Sequence, residues 1–175
     1  MDCVRLVYPT KEYEERANKF IKEFYEYNSE INGTGGLHRY KNYDEWLLKI
    51  KKDLDIANIP TGRVPASTYF YIRNTDEKII GMINIRHKLN EFTLQEGGHI
   101  GYSIRPTERK KGYATTLLKA GLIKCKELNI QNVLITCDKI NVASAKVIMN
   151  NGGKLENEFF SDTYNQIVQR YWINL

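Results

Sequence analysis

Arg109-Lys110-Lys111-Gly112-Tyr113-Ala114 sets three consecutive cations in front of a glycine. Glycine takes the positive φ at which successive backbone N–H groups converge on one point. A helical run begins near Tyr113, and the first N–H groups of a helix lack internal partners and carry the positive end of its dipole. The stretch therefore reads as an anion cradle, and a pyrophosphate suits it. The three cysteines offer less chemistry. Cys3, Cys125 and Cys137 are odd in number and lack CxxC spacing, so neither a disulfide framework nor a zinc site is indicated. Cys125 lies on an apolar helix stripe and Cys137 ends an apolar strand, and both read as structural.

The elements that must hold the cradle follow from periodicity. Val4 to Tyr8 alternates and stops at Pro9, as a short opening strand does. Behind Thr10, an expected N-cap, Tyr13, Ala17, Phe20, Ile21 and Phe24 recur at helical spacing. Asn28 to Gly36 is a glycine-rich loop, and a second helix starts behind Asn42 or Asp44, with Trp46, Leu47, Ile50 and Leu54 on one face. The aromatics here, Tyr25, Tyr27, Tyr40, Tyr43 and Trp46, serve either packing or the wall of a pocket. Ser67 to Arg73 and Lys78 to His87 form a hairpin around Asn74-Thr75-Asp76-Glu77. A polar link, Lys88 to Gly98, leads to a third strand, His99 to Arg105, which ends at Pro106.

Beyond the cradle, Ala114, Leu117, Leu118, Gly121, Cys125 and Leu128 mark a helical stripe closed by Asn129. Val133 to Cys137 is an apolar run suited to a central strand covered on both faces. A helix from Val142 to Asn150 ends at Asn151-Gly152-Gly153, and strands near Leu155 to Phe159 and Gln166 to Ile173 finish the chain. The order βααβββαβαββ predicts an α/β (α+β) fold with the cradle at the carboxyl end of a strand, where open sheets bind ligands.

Composition bounds the rest. A chain of 175 residues, 42% apolar and 27% charged, suits a single domain spanning 1–175. No run approaches the roughly 18 apolar residues of a membrane span, and Met1-Asp2-Cys3-Val4-Arg5 lacks a signal-peptide core, so a cytoplasmic protein without membrane association is expected. A net charge of +5 favours an anionic ligand, while no recognised motif accompanies it to suggest nucleic acid.

On these residues the sequence resembles the GNAT superfamily of acetyl-CoA-dependent N-acetyltransferases. That family's signature of Arg or Gln, two residues, Gly, one residue, and Gly or Ala matches Arg109 to Ala114 at every defined position. Gly101-Tyr102-Ser103-Ile104 and Pro106 stand before it, and Asn141-Val142-Ala143-Ser144 looks like the family's Asn-x-x-Ser/Ala element behind it. His99 to Ala114 is most similar to the branch containing ribosomal-protein and general amine acetyltransferases. The resemblance implies a mixed, mostly antiparallel twisted sheet of about seven strands flanked by about four helices. It implies acetyl-CoA as co-substrate with no metal, and an amine acceptor, small molecule or peptide, and leaves a homodimer open. The backbone of Arg109, Lys110, Lys111, Gly112, Tyr113 and Ala114 would hold the pyrophosphate. The strand backbone near Ser103 and Ile104 would pair with the pantetheine arm, with the Ile104 N–H polarising the thioester. Asn141 and Ser144 would contact that arm.

Catalysis then needs a proton acceptor, since only a neutral amine attacks a thioester. Nearest relatives often carry Glu just before the Ile-Gly-Tyr of this strand, where this chain has His99, the first candidate base; its ordinary pKa of about 6.5 suits the task. Glu96, brought toward the cleft by Gly97 and Gly98, is the second. Each has a plainer reading, as a strand histidine satisfied by its neighbours and as a solvated loop glutamate. His38 and His87 read as surface or structural residues. The chain departs from the family at Ile148, where a tyrosine often protonates the leaving thiolate, leaving solvent, Tyr102 or Ser144 for that step. The departure also keeps a non-catalytic acyl-CoA sensor as an alternative.

Overall fold

The computed structural model of the chain describes residues 3–175; the opening Met1 and Asp2, read above for a signal core, lie outside the described residues. Seven strands and four α-helices follow one another as β1 (Val4–Val7), α1 (Glu14–Glu26), α2 (Tyr43–Lys52), β2 (Ala66–Arg73), β3 (Lys78–Arg86), β4 (Ile100–Ile104), α3 (Tyr113–Glu127), β5 (Asn132–Asp138), α4 (Val142–Asn150), β6 (Lys154–Ser161) and β7 (Gln166–Asn174). This is the expected order. The strands form two antiparallel sheets, β1-β2-β3-β4 and β5-β7-β6.

Two apolar clusters cover the faces of the first sheet. On one side Phe20, Phe24, Trp46 and Ile50 of α1 and α2 pack on Phe70, Ile72 and Met82, all fully buried. On the other, Leu117, Leu118 and Cys125 of α3 pack on Ile80, Ile83 and Ile85 and continue to Val133, Ile135 and Ile148. Each such side chain contributes about 1.5–3 kcal/mol relative to exposure. Gly121 lets α3 lie close to the sheet: a Cβ there would meet the Ile83 side chain at 2.4 Å.

Helix ends follow local chemistry with two exceptions. Asn42 caps α2 by accepting from the Asp44 N–H, and Asn129, at φ 59°, ends α3 with Ile130 N–H bonding back to the Cys125 carbonyl. Thr10, however, makes no cap bond. Its hydroxyl donates to Glu12, and a 3₁₀ turn over Lys11–Tyr13 intervenes before α1. Helix α2 stops at Lys52, so Leu54 falls outside it and is exposed rather than on its buried face.

Candidate active site

The two sheets meet at one place. The His99 N–H donates to the Leu134 carbonyl at 2.7 Å, and the Leu134 N–H donates back to His99 Nδ1 at 2.9 Å. Beyond this junction no ladder joins β4 to β5 among the described residues. A cleft of about 470 Å³ opens instead, with Gly101 and Tyr102 on one wall and Thr136 to Asp138 on the other.

The register of β4 decides which backbone groups face this opening. The Arg105 N–H donates to the Ile80 carbonyl, and Ser103 pairs with Met82, so alternation directs the main chain of Ser103 and Arg105 toward β3. The main-chain groups of Tyr102 and Ile104 take the opposite edge. Ser103 is committed elsewhere as well: its hydroxyl donates to the Asn32 carbonyl at 2.7 Å.

The cradle follows the far end of β4. Lys110 and Gly112 both hold positive φ, 62° and 82°, and Gly112 starts α3 with no side chain capping it. The leading N–H groups of a 15-residue helix therefore open onto a turn built for an anion. Tyr113 is buried at the helix start while Ala114 packs beside the core. The three cations divide their work. Lys110 is exposed. Lys111 pairs with buried Glu108 at 2.9 Å, alongside Lys78 and Arg73. Arg109 folds back, donating from Nε to the Ile104 carbonyl and from a terminal nitrogen to the Ser29 hydroxyl, with its guanidinium over Phe24. Burial would raise the Glu108 pKa, but the hydrogen bonds from Lys78 and Lys111 prevail and hold it down at about 2.

Across the cleft, Asn141 Oδ1 accepts from the Ser144 N–H at 3.0 Å and caps α4. The Ser144 hydroxyl lies 3.0 Å from that of Tyr102, and both residues line the cleft. Burial pushes the Tyr102 pKa up to about 12, with the Ser144 hydrogen bond opposing it, so the phenol stays protonated. Ile148 lies fully buried, one turn beyond this pair, where a Cβ on Gly153 would meet its Cγ2 at 2.4 Å.

The two candidate bases sit differently. His99 is buried, and desolvation, followed by the nearby charge of Arg86, lowers its pKa to about 4. With Nδ1 accepting from Leu134, the neutral ring carries its proton on Nε2, leaving neither nitrogen a lone pair for an incoming ammonium. Glu96 is half-exposed and borders the cleft. Its carboxylate accepts from the buried Ser161 hydroxyl at 3.0 Å, and its carbonyl accepts from the Thr136 hydroxyl at 2.7 Å. A one-turn π-helix over Thr93–Gly97 and the positive φ of Gly98 carry it there.

A second cavity of about 650 Å³ adjoins the cleft and shares Gly33, Gly101 and Arg86 with it. The loop between α1 and α2 forms its roof. Tyr40 is on its wall, whereas Tyr43 and Trp46 belong to the core and Tyr25 and Tyr27 are exposed. His38 lines this cavity too, and His87 bonds Ser67 at its base strand. Sequence periodicity gave no sign of this chamber, because its residues come from loops and strand ends. The available signals were Tyr40, read above as packing or a pocket wall, and Arg86, a cation at the end of a mostly apolar strand.

An antiparallel sheet parted beside a helix start with free leading N–H groups has a shape that suits an extended, phosphate-bearing ligand. The family model described as the acetyltransferase (GNAT) domain matches residues 8–154, and the chain belongs to that family of acetyltransferases. Among solved structures, a ribosomal L7/L12 α-N-protein acetyltransferase in complex with coenzyme A is similar at TM-score 0.71 and 15% identity, over 98% of this chain and 94% of that one. A microcin C7 self-immunity acetyltransferase in complex with acetyl-CoA and AMP aligns at TM-score 0.69 and 16% identity, over 100% and 94%. A chimeric spermidine N-acetyltransferase from Vibrio cholerae aligns at 0.66 and 19%, over 98% and 95%. Likeness at these identities is a likeness of fold. A search of curated proteins finds no match. No helix among the described residues is long and apolar enough to cross a membrane, and no cluster of metal-ligating side chains occurs among them.

Proposed function

We propose that this chain, as a single domain over 1–175, transfers an acetyl group from acetyl-CoA to a primary amine by direct attack in a ternary complex. The observation that carries this reading is the cleft itself, closed by the His99–Leu134 junction at one end of β4 and followed by the cradle at the other. The N–H groups around Gly112, Tyr113 and Ala114 bind the pyrophosphate, and exposed Lys110 adds charge; Lys111 and Arg109 act mainly by fixing the turn. The open edge of Tyr102 and Ile104, rather than Ser103, pairs with the pantetheine arm, and Asn141 and Ser144 flank it. Acetyl-CoA supplies an activated acyl carbon with a thiolate leaving group.

Glu96 is the better-placed proton acceptor, directly or through a water, because its carboxylate borders the cleft while His99 spends its lone pair on Leu134. Glu96 first takes one proton from the acceptor ammonium; the neutral nitrogen then bonds the acyl carbon, the carbon–sulfur bond breaks, and the second proton lost from nitrogen balances the one gained by the thiolate. The Tyr102 and Ser144 hydroxyls, 3.0 Å apart on the cleft wall, are the groups assigned to protonate the departing sulfur. The cytoplasm suits the reaction, and the three cysteines are free thiols.

The test is release of free CoA against a panel of amines, read beside thermal melting. Amine-dependent release is expected, and acetyl-CoA at 100 times its Kd should stabilise the fold by about 2.7 kcal/mol where acetate does nothing. Stabilisation without release for any amine would leave a sensor, and no stabilisation would end both readings.

A further inference from the structure

The acceptor chamber carries a charge pattern that narrows its substrate. Three guanidiniums face the 650 Å³ cavity, those of Arg39, Arg63 and Arg86, and none of them has a carboxylate partner among the described residues. Arg39 reaches only His38, at 3.3 Å. Arg86, at the boundary between the cavity and the cleft, donates to the carbonyls of Gly97 and Gly98 at 2.9 Å each and is otherwise uncompensated. The remaining charges cancel: Lys49 pairs with buried Asp53 at 2.5 Å. Burial, then the charge of Arg39, lowers the His38 pKa and keeps that ring neutral. The cleft has the opposite character, with Glu30, Glu96 and Asp138 on its walls.

Arg86 is half-buried and has no anion among the described residues, a costly state that is relieved when a carboxylate or phosphate is bound in its fork, while Arg39 and Arg63, exposed at the cavity rim, add positive charge around it. An ammonium is equally disfavoured beside three arginines and favoured beside carboxylates. Resting on the acetyltransferase reading above, we infer that the acceptor is a small molecule bearing both groups, its amine in the carboxylate-lined cleft and a carboxylate or phosphate in the arginine-lined cavity. A polyamine such as spermidine is the wrong substrate for this chamber.

Matched pairs test this. Ethanolamine against O-phosphoethanolamine, and propylamine against β-alanine, differ in the anion alone and separate phosphate from carboxylate. The anionic member of at least one pair should show a kcat/KM about tenfold or more above its neutral partner, as a charge-assisted contact provides. Arg39→Gln with Arg63→Gln should abolish most of that preference while the KM for acetyl-CoA is unchanged. Arg86 is kept in this variant because it also holds the turn at Gly97 and Gly98. Equal rates within both pairs, or spermidine as the best acceptor, would overturn the inference. If no amine turns over, calorimetric titration of the same compounds into the full chain decides. Tighter binding of an anionic member than of its neutral partner upholds the charge assignment though acetyl transfer has failed, and equal or absent binding ends it.

Discussion

His99 and Glu96 stand three residues apart in the chain and do different things. Glu96→Gln keeps the shape and a hydrogen bond to Ser161 while removing the proton acceptor, so the amine-dependent rate should fall by about 10²–10⁴ with little change in melting temperature. His99→Phe should act through stability instead. It strips the acceptor from a buried Leu134 N–H, at a cost of about 1–3 kcal/mol, and should leave the shape of the pH–rate profile unchanged. The wild-type histidine also predicts a pH effect with a definite sign. Its folded pKa, about 4, lies below the ordinary 6.5, so its contribution is complete above pH 6.5 and is lost as pH falls toward 4, by up to about 3 kcal/mol. Denaturant unfolding at stepped pH should show this loss in the wild type and not in His99→Phe.

At the scale of elements, the loop between α1 and α2 is fastened at both its root and its crest. Glu23 in α1 accepts from Arg105 at 2.7 Å and from both the N–H and the hydroxyl of Thr107, tying the helix to the chain just before the cradle. Gly33 lies at the crest, at φ 68°, where an added Cβ would sit 2.4 Å from the Gly101 carbonyl oxygen and 2.5 Å from the Tyr102 Cα. Both obstacles are backbone and neither can rotate away. Gly33→Ala should therefore lower stability by about 1–3 kcal/mol and weaken acceptor use, a change readable as a raised acceptor KM beside a lower melting temperature. Periodicity revealed the helices and strands because their apolar stripes are local. It revealed the cradle because three cations, a glycine and a helix start are adjacent in sequence. The edge of β4 that faces the cleft depends on pairing with β3, and the chamber depends on loop packing; neither is written in a local pattern. That is why Ser103 looked available and Arg39, Arg63 and Arg86 went unremarked.

For the molecule as a whole, the cradle is braced by charge as much as by packing. Glu108 is buried under Arg73, Lys78 and Lys111, so Glu108→Gln takes this anion from Lys78 and Lys111, while Arg73 keeps Asp76, and should cost about 3 kcal/mol near neutral pH. The carboxylate pKa, about 2 when folded, is below its ordinary value near 4.3, so this stabilisation is present above that value and drains away as pH falls toward 2. Acid unfolding of the variant should be correspondingly shallower over that interval. The partition between the two chambers has a different character from this brace. Where Gly33 crosses Gly101, the wall is main chain against main chain, with Ile31, Asn32 and Arg86 also bordering both rooms. Mutation can redraw a surface made of side chains one residue at a time, but it cannot recolour a peptide bond. The loops roofing the outer room can thus diverge to suit new acceptors while the donor room keeps its machinery, so this fold can change clientele without relearning its chemistry.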